Sequence, residues 1–134
     1  MPHEHDGRPP SILVVDDEAD LAATCARLLH RRGYDVVSAG SRQEGLASLA
    51  TGRYDLVVAD LRLPDGDGLD VVRAARALPV PRPVIVITGF GSNRTRQEAL
   101  TAGASAFLPK PFSLLEFADL VERLLATFNS DPHP

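Results

Sequence analysis

An apolar run that stops on aspartate occurs twice in this chain, as Ser11-Ile-Leu-Val-Val-Asp16-Asp17 and as Asp55-Leu-Val-Val-Ala-Asp60. Three carboxylates brought into one crevice repel by about 3 kcal/mol per pair at about 5 Å and an effective dielectric of about 20. Such a cluster needs a cation. The chain offers one obvious fixed candidate in Lys110, its single lysine among 14 basic residues, set between Pro109 and Pro111. Lysine carries a compact point charge and arginine a planar fork, so a lone lysine in an arginine-rich chain marks a place where the two are not equivalent. Thr88, followed by the small Gly89, adds a hydroxyl. The inventory is an acidic pair, a lone carboxylate, a hydroxyl and an ammonium.

The elements that position these groups follow from periodicity. Each apolar run has the length and β-branched content of a strand buried on both faces. Strands are predicted near 11–16, 34–39, 55–60, 83–88 and 105–108, alternating with helices near 18–32, 42–52, 67–78, 92–102 and 113–128. Leu21, Cys25, Leu28 and Leu29 fall on one face of the first helix. Leu114, Phe117, Val121, Leu124, Leu125 and Phe128 do the same on the last, where Ser113 and Glu116 form a capping box. Gly33 and Gly52 stand where helices should end. The fourth helix carries almost no large apolar residues, so it is expected to be held loosely.

Five βα units imply an α/β protein with a parallel sheet covered by helices on both sides. Right-handed crossovers and central first and third strands favour a flavodoxin-like three-layer sandwich in strand order 2-1-3-4-5. Both aspartate endings then open into the crevice outside the carboxyl ends of the strands, where such folds bind ligands. Thr88 ends the fourth strand and Lys110 follows the fifth.

At 134 residues the chain is read as one domain over 11–128, with short disordered tails at 1–10 and 129–134. A net charge of −4 argues against direct nucleic-acid binding by this domain. No apolar run approaches the roughly 20 residues of a membrane span. The first ten residues lack the apolar core of a signal peptide, and the lone Cys25 excludes an internal disulfide or a cysteine zinc cluster. The expectation is a cytoplasmic chain.

Val-Val-Asp16-Asp17, Asp60-Leu-Arg-Leu-Pro64-Asp-Gly-Asp67-Gly68, Thr88-Gly89 and Leu-Pro-Lys110-Pro111-Phe together resemble the receiver domain of two-component response regulators, a CheY-like superfamily. Each piece is weak alone. The resemblance spans about residues 11–128, and it implies a phosphorylatable signalling switch.

In that family Asp60 matches the aspartate that takes a phosphoryl group from a sensor histidine kinase or a phosphotransfer protein. Asp17 matches a direct Mg2+ ligand and Asp16 a looser one, with Asp60 and the backbone carbonyl of Arg62 completing the set. Lys110 matches the lysine that pairs with phosphoryl oxygens, ahead of a cis Lys-Pro bond. Thr88 matches the hydroxyl that moves onto the phosphate, and Phe107 the aromatic that follows it. The surface of the fourth helix, fifth strand and fifth helix then changes to control a downstream protein or an output domain, and it is also the face for a homodimer. Arg62 and Phe90 stand where access to the acyl phosphate is shaped, and they are expected to hinder the hydrolytic water. Such a protein is no enzyme beyond its own phosphotransfer and autodephosphorylation.

Two departures bear on the switch. Phe107 lacks the hydroxyl of the usual tyrosine, and Gly66 replaces an apolar residue, which implies a looser loop after Asp60. Two rivals stay open: an aspartate-nucleophile Mg2+ phosphatase, with Glu18 as general acid or base, and an interaction-only receiver that takes no phosphate. Whether the chain acts alone or belongs to a longer regulator is likewise open. Blander readings cover the rest. Asp65-Gly-Asp67-Gly-Leu-Asp70 fails as a calcium loop because Leu69 and Arg76 stand at ligand positions. His3 and His5 belong to the tail, His30 to a helix surface and Cys25 to the core.

Overall fold

The computed structural model describes residues 7–89 and 91–129. The expectations for residues 1–6 and 130–134, including His3 and His5, lie outside the described residues, as do Phe90 and the side chain of Phe128.

Five parallel strands form one sheet: β1 (Ser11–Val15), β2 (Asp35–Ala39), β3 (Leu56–Asp60), β4 (Val84–Thr88) and β5 (Ala106–Pro109). They lie in the flavodoxin-like order β2-β1-β3-β4-β5. The helices α1 (Ala19–Arg31), α2 (Arg42–Thr51), α3 (Leu69–Arg76), α4 (Asn93–Ala102) and α5 (Leu114–Asn129) alternate with them. The predicted boundaries hold to within one or two residues. The delayed start of α3 has a cause: Arg62–Leu63 pairs antiparallel with Gly66–Asp67 in a short ribbon that occupies the chain just before the helix. Two residues a side are too few to show a period.

The apolar runs of β1, β3 and β4 are buried on both faces because alternate residues feed opposite layers. Leu13, Val15, Val57, Ala59, Val84 and Val86 pack with Val71 and Val72 of α3 and Leu49 of α2. Ile12, Val14, Leu56, Val58, Ile85 and Ile87 pack with Cys25 and Leu29 of α1 and Phe117, Val121 and Leu125 of α5. Among the described residues Phe117 is the largest fully buried side chain, its ring centroid 5.5 Å from that of Phe112. The predicted apolar face of α5 is corrected at Leu114, which lies exposed in the first turn.

Serine side chains close the starts of three helices. The Oγ atoms of Ser41, Ser92 and Ser113 accept the N–H groups of Glu44, Thr95 and Glu116 at 3.1, 3.1 and 3.2 Å. Gly33, at φ +94°, lets the chain leave α1. In α4 only Ala99 is buried, so that helix carries little of the core. Among the described residues no helix is long and apolar enough to cross a membrane.

Strand register sets up the site. Val15 pairs with Ala59, Asp60 with Ile87, and Thr88 with Pro109. The carboxyl ends of β1, β3, β4 and β5 are therefore level, and the residues leaving them share one edge.

Candidate functional site

At that edge the carboxylates of Asp16, Asp17 and Asp60 each present an oxygen within 4.8 Å of the others. Asp16 and Asp60 are buried, and Asp17 is exposed at the rim. Lys110 enters from the end of β5 and donates from Nζ to Asp60 Oδ2 at 2.8 Å. The same ammonium donates to Glu18 Oε1 and lies 3.0 Å from Asp16 Oδ2. Backbone groups hold the other oxygens: Asp16 Oδ1 accepts the Glu18 N–H at 2.8 Å, and Asp60 Oδ1 accepts the Arg62 N–H at 3.1 Å.

Asp16 Oδ2 decides what the site can take. It is buried and accepts no hydrogen bond, with the Lys110 ammonium 3.0 Å away as an ion-pair partner. A shielded carboxylate oxygen beside two more carboxylates is the donor set of a hard, oxygen-loving divalent cation. The residues present thus fit a Mg2+ ion.

Burial raises the Asp16 carboxyl above its ordinary value; the Glu18 N–H and Lys110 pull it down without cancelling that effect. Partial burial pulls the Lys110 ammonium down, but the hydrogen bonds to Asp60 and Glu18 and the ion pair with Asp16 outweigh it and hold the group above its ordinary value. Lys110 is therefore a fixed positive charge at neutral pH.

Thr88 is fully buried at the end of β4, and its carbonyl accepts the Lys110 N–H at 2.8 Å. The Lys110–Pro111 peptide is cis, as the family resemblance implies. A cleft of about 380 Å³ separates the ribbon from α4, with Thr88, Thr95 and Glu98 on its walls. Phe107 is half-buried in β5, and the Arg96 guanidinium of α4 stands 5.7 Å from its ring centroid. That contact links the ring to α4 without a tyrosine hydroxyl.

The loop after Asp60 is pinned rather than loose, which corrects the expectation drawn from Gly66. Asp65 accepts the N–H groups of Arg42 and Gln43 at 2.7 and 2.9 Å, closing the first turn of α2. Arg42 Nε in turn donates to Asp70 Oδ2 at 2.8 Å. Gly66, at φ +153°, leaves room for the Arg42 stem, since a Cβ there would lie 2.7 Å from Arg42 Cδ. Asp67 Oδ1 accepts the Leu69 N–H at 2.9 Å. Asp65, Asp67 and Asp70 are thus engaged as acceptors within the ribbon and the adjoining helix starts.

Of the predicted site residues, Asp16, Asp17, Asp60, Thr88 and Lys110 come together at the edge. Arg62 contributes its N–H to Asp60 from an exposed position. Phe107 stands one strand residue before Leu108 and packs against the core cluster that holds Val71, Val72 and Ala99. His30 is exposed in the last turn of α1. Sequence reasoning did not foresee Glu18 as a partner of Lys110, nor Gly68, where a Cβ would fall 1.9 Å from the Asp60 carbonyl oxygen. Its only signal was a glycine eight residues beyond the key aspartate.

A family model described as the response regulator receiver domain matches residues 12–123. The transcriptional regulatory protein TrcR of Mycobacterium tuberculosis is 38% identical over 131 residues, covering 98% of this chain and 50% of that protein. The response regulator protein PilR of Pseudomonas aeruginosa is 40% identical over 119 residues, covering 89% of this chain and 27% of that protein. The chain thus spans at most about half the length of these relatives. Among solved structures, a CheY-like receiver domain protein from Methanospirillum hungatei superposes with a TM-score of 0.86 at 28% identity, covering 90% of this chain and 96% of that one. A Burkholderia pseudomallei response regulator, solved with a phosphorylated aspartic acid, a calcium ion and citrate, does so at 0.76 and 30% identity, covering 85% and 71%. The chain belongs to the response regulator receiver domain family of two-component signal transduction.

Proposed function

We propose that Asp60 is the phospho-acceptor of this receiver, taking a phosphoryl group from the phosphohistidine of a sensor histidine kinase or phosphotransfer protein. The observation that carries this reading is the 2.8 Å contact of Lys110 Nζ with Asp60 Oδ2 inside the acidic cluster. A buried carboxylate held between an ammonium and a backbone N–H has one fixed orientation, as an attacking group needs.

In the transfer, an Asp60 oxygen bonds to phosphorus as the P–N bond of the donor breaks. The imidazole nitrogen leaves with the bonding pair and takes up a proton. Asp16, Asp17, Asp60 and the Arg62 carbonyl would hold Mg2+, which when bound offsets charge on the phosphoryl oxygens. Lys110 binds a phosphoryl oxygen of the product, and the Thr88 hydroxyl turns toward it. The Phe107 ring follows, and through Arg96 it biases α4, a helix with little core to hold it. Arg62 and Phe90 shield the acyl phosphate from water. The chain catalyses only its own phosphorylation and dephosphorylation.

The relatives named as transcriptional regulators support a transcriptional output in the cytoplasm. It runs through a downstream protein or a further domain that reads the α4–β5–α5 face, which is also the face for pairing of two chains. Direct DNA contact by this domain is not expected at a net charge of −4.

Incubation with a small phosphodonor and Mg2+ is expected to give an alkali-labile adduct of one phosphoryl mass. Asp60→Asn should abolish it, and an undiminished adduct in that variant overturns the assignment.

A further inference from the structure

Glu18 stands at the start of α1, in extended backbone, and its side chain makes no capping bond to the helix. An acid in that place would ordinarily turn toward the positive end of the helix dipole. Instead the side chain, 59% exposed, reaches Lys110, 92 residues away. The ammonium thus faces three carboxylates: Asp60 and Glu18 as hydrogen-bond acceptors, and Asp16 as an ion-pair partner.

A phosphoryl group on Asp60 brings further strong acceptor oxygens and nearly two negative charges to the same ammonium. Three carboxylate oxygens already lie within 3.0 Å of this ammonium, so phosphoryl oxygens crowd it and the least firmly held partner yields. The Asp16 side chain is 0% exposed, and leaving Lys110 would strip a buried carboxylate of its cation. Asp60 is the reacting group. Glu18 alone can turn into water at little cost, because its carboxylate is already mostly solvated.

We infer that Glu18 is a displaceable counter-anion: it holds the Lys110 ammonium at the mouth of the site until a phosphoryl oxygen takes its place. Glu18 is then a positioning residue, acting through Lys110 on how readily the receiver accepts phosphate. This rests on the proposed role of Asp60 and deepens it. Glu18→Gln keeps the side chain's size and removes its charge, so an anionic donor approaches one carboxylate fewer and displaces a weaker partner. The half-saturating donor concentration falls roughly threefold, the effect of one like charge removed at about 7 Å in a water-like dielectric, and the maximal rate changes little.

Because Lys110 is the only lysine, selective isotope labelling of lysine yields a single side-chain resonance from this ammonium. The test compares wild type, Glu18→Gln and Glu18→Ala, each with Mg2+ and with or without acetyl phosphate, with the adduct followed by intact mass in the same samples. Loss of the Glu18 charge is expected to shift the Lys110 resonance in the unphosphorylated protein and to leave it at the wild-type position once Asp60 is phosphorylated. An unchanged resonance in the unphosphorylated variants, or a shift that persists equally after phosphorylation, overturns the inference and leaves the phospho-acceptor assignment standing. No adduct in the wild type overturns the assignment and this inference with it.

Discussion

Asp65 and Arg42, 23 residues apart, meet where the ribbon after β3 touches the start of α2: the Asp65 carboxylate takes the Arg42 N–H at 2.7 Å and the adjacent Gln43 N–H at 2.9 Å. The chain that carries Asp60 out of the sheet is thus fastened to a helix from a different βα unit.

The fastening should be visible in acid. The Gln43 N–H, with that of Arg42, holds the Asp65 carboxyl below its ordinary 3.8 despite some opposing desolvation. A depressed pKa contributes stability that is complete above the unfolded value and lost as pH falls through the lower folded value. Asp65→Ala should lower the urea midpoint at pH 7. The gap from wild type should close as both are taken well below pH 3.8, because the wild type loses the same contribution there. A gap that stays constant with pH would assign the effect to something other than the carboxylate.

Magnesium should stabilise the native chain by linkage, by about 1.4 kcal/mol at ten times its Kd. Asp17→Asn removes one of three mutually repelling carboxylates, so the metal-free variant should be at least as stable as the wild type. Added Mg2+ should no longer raise its melting temperature. Thermal scans with and without Mg2+ distinguish the cases, and a full Mg2+ response in the variant would place the ion elsewhere.

Gly68→Ala should be costly for a reason of space. Its Cβ would fall 1.9 Å from the Asp60 carbonyl oxygen and 2.8 Å from Leu61 Cα, both backbone atoms. Overpacking of this kind costs about 3 kcal/mol, and the displaced Asp60 should also lose adduct yield. Gly89→Ala, with nothing within 4 Å of its Cβ, serves as the control and should stay within about 0.5 kcal/mol of wild type in urea unfolding.

Cys25 should be silent to alkylation in the native protein. Burial pushes its thiol up to about 11, with the Asp16 charge adding to the effect. At pH 8 iodoacetamide should therefore react at the rate of unfolding, and it should accelerate across the urea transition measured by circular dichroism. Immediate modification of the folded chain would contradict the buried position of this residue in the α1 face.

The apolar runs and their aspartate endings determined most of the scaffold by themselves. A run of β-branched residues has one comfortable place in an alternating βα chain, and it leaves the core where its first charge stands. Asp16, Asp17, Asp60, Thr88 and Lys110 were therefore legible as strand-end groups before any contact was known. Other features arise only when separate units pack, and tertiary structure alone decided them. The reach of Glu18 to Lys110 depends on the turn into α1 and the exit of β5 lying side by side. The hold of Asp65 on α2 depends on a ribbon whose two-residue arms carry no period. Local pattern specifies which face of an element is apolar, whereas the aim of a polar side chain at an element's end depends on which neighbour the fold sets within its reach.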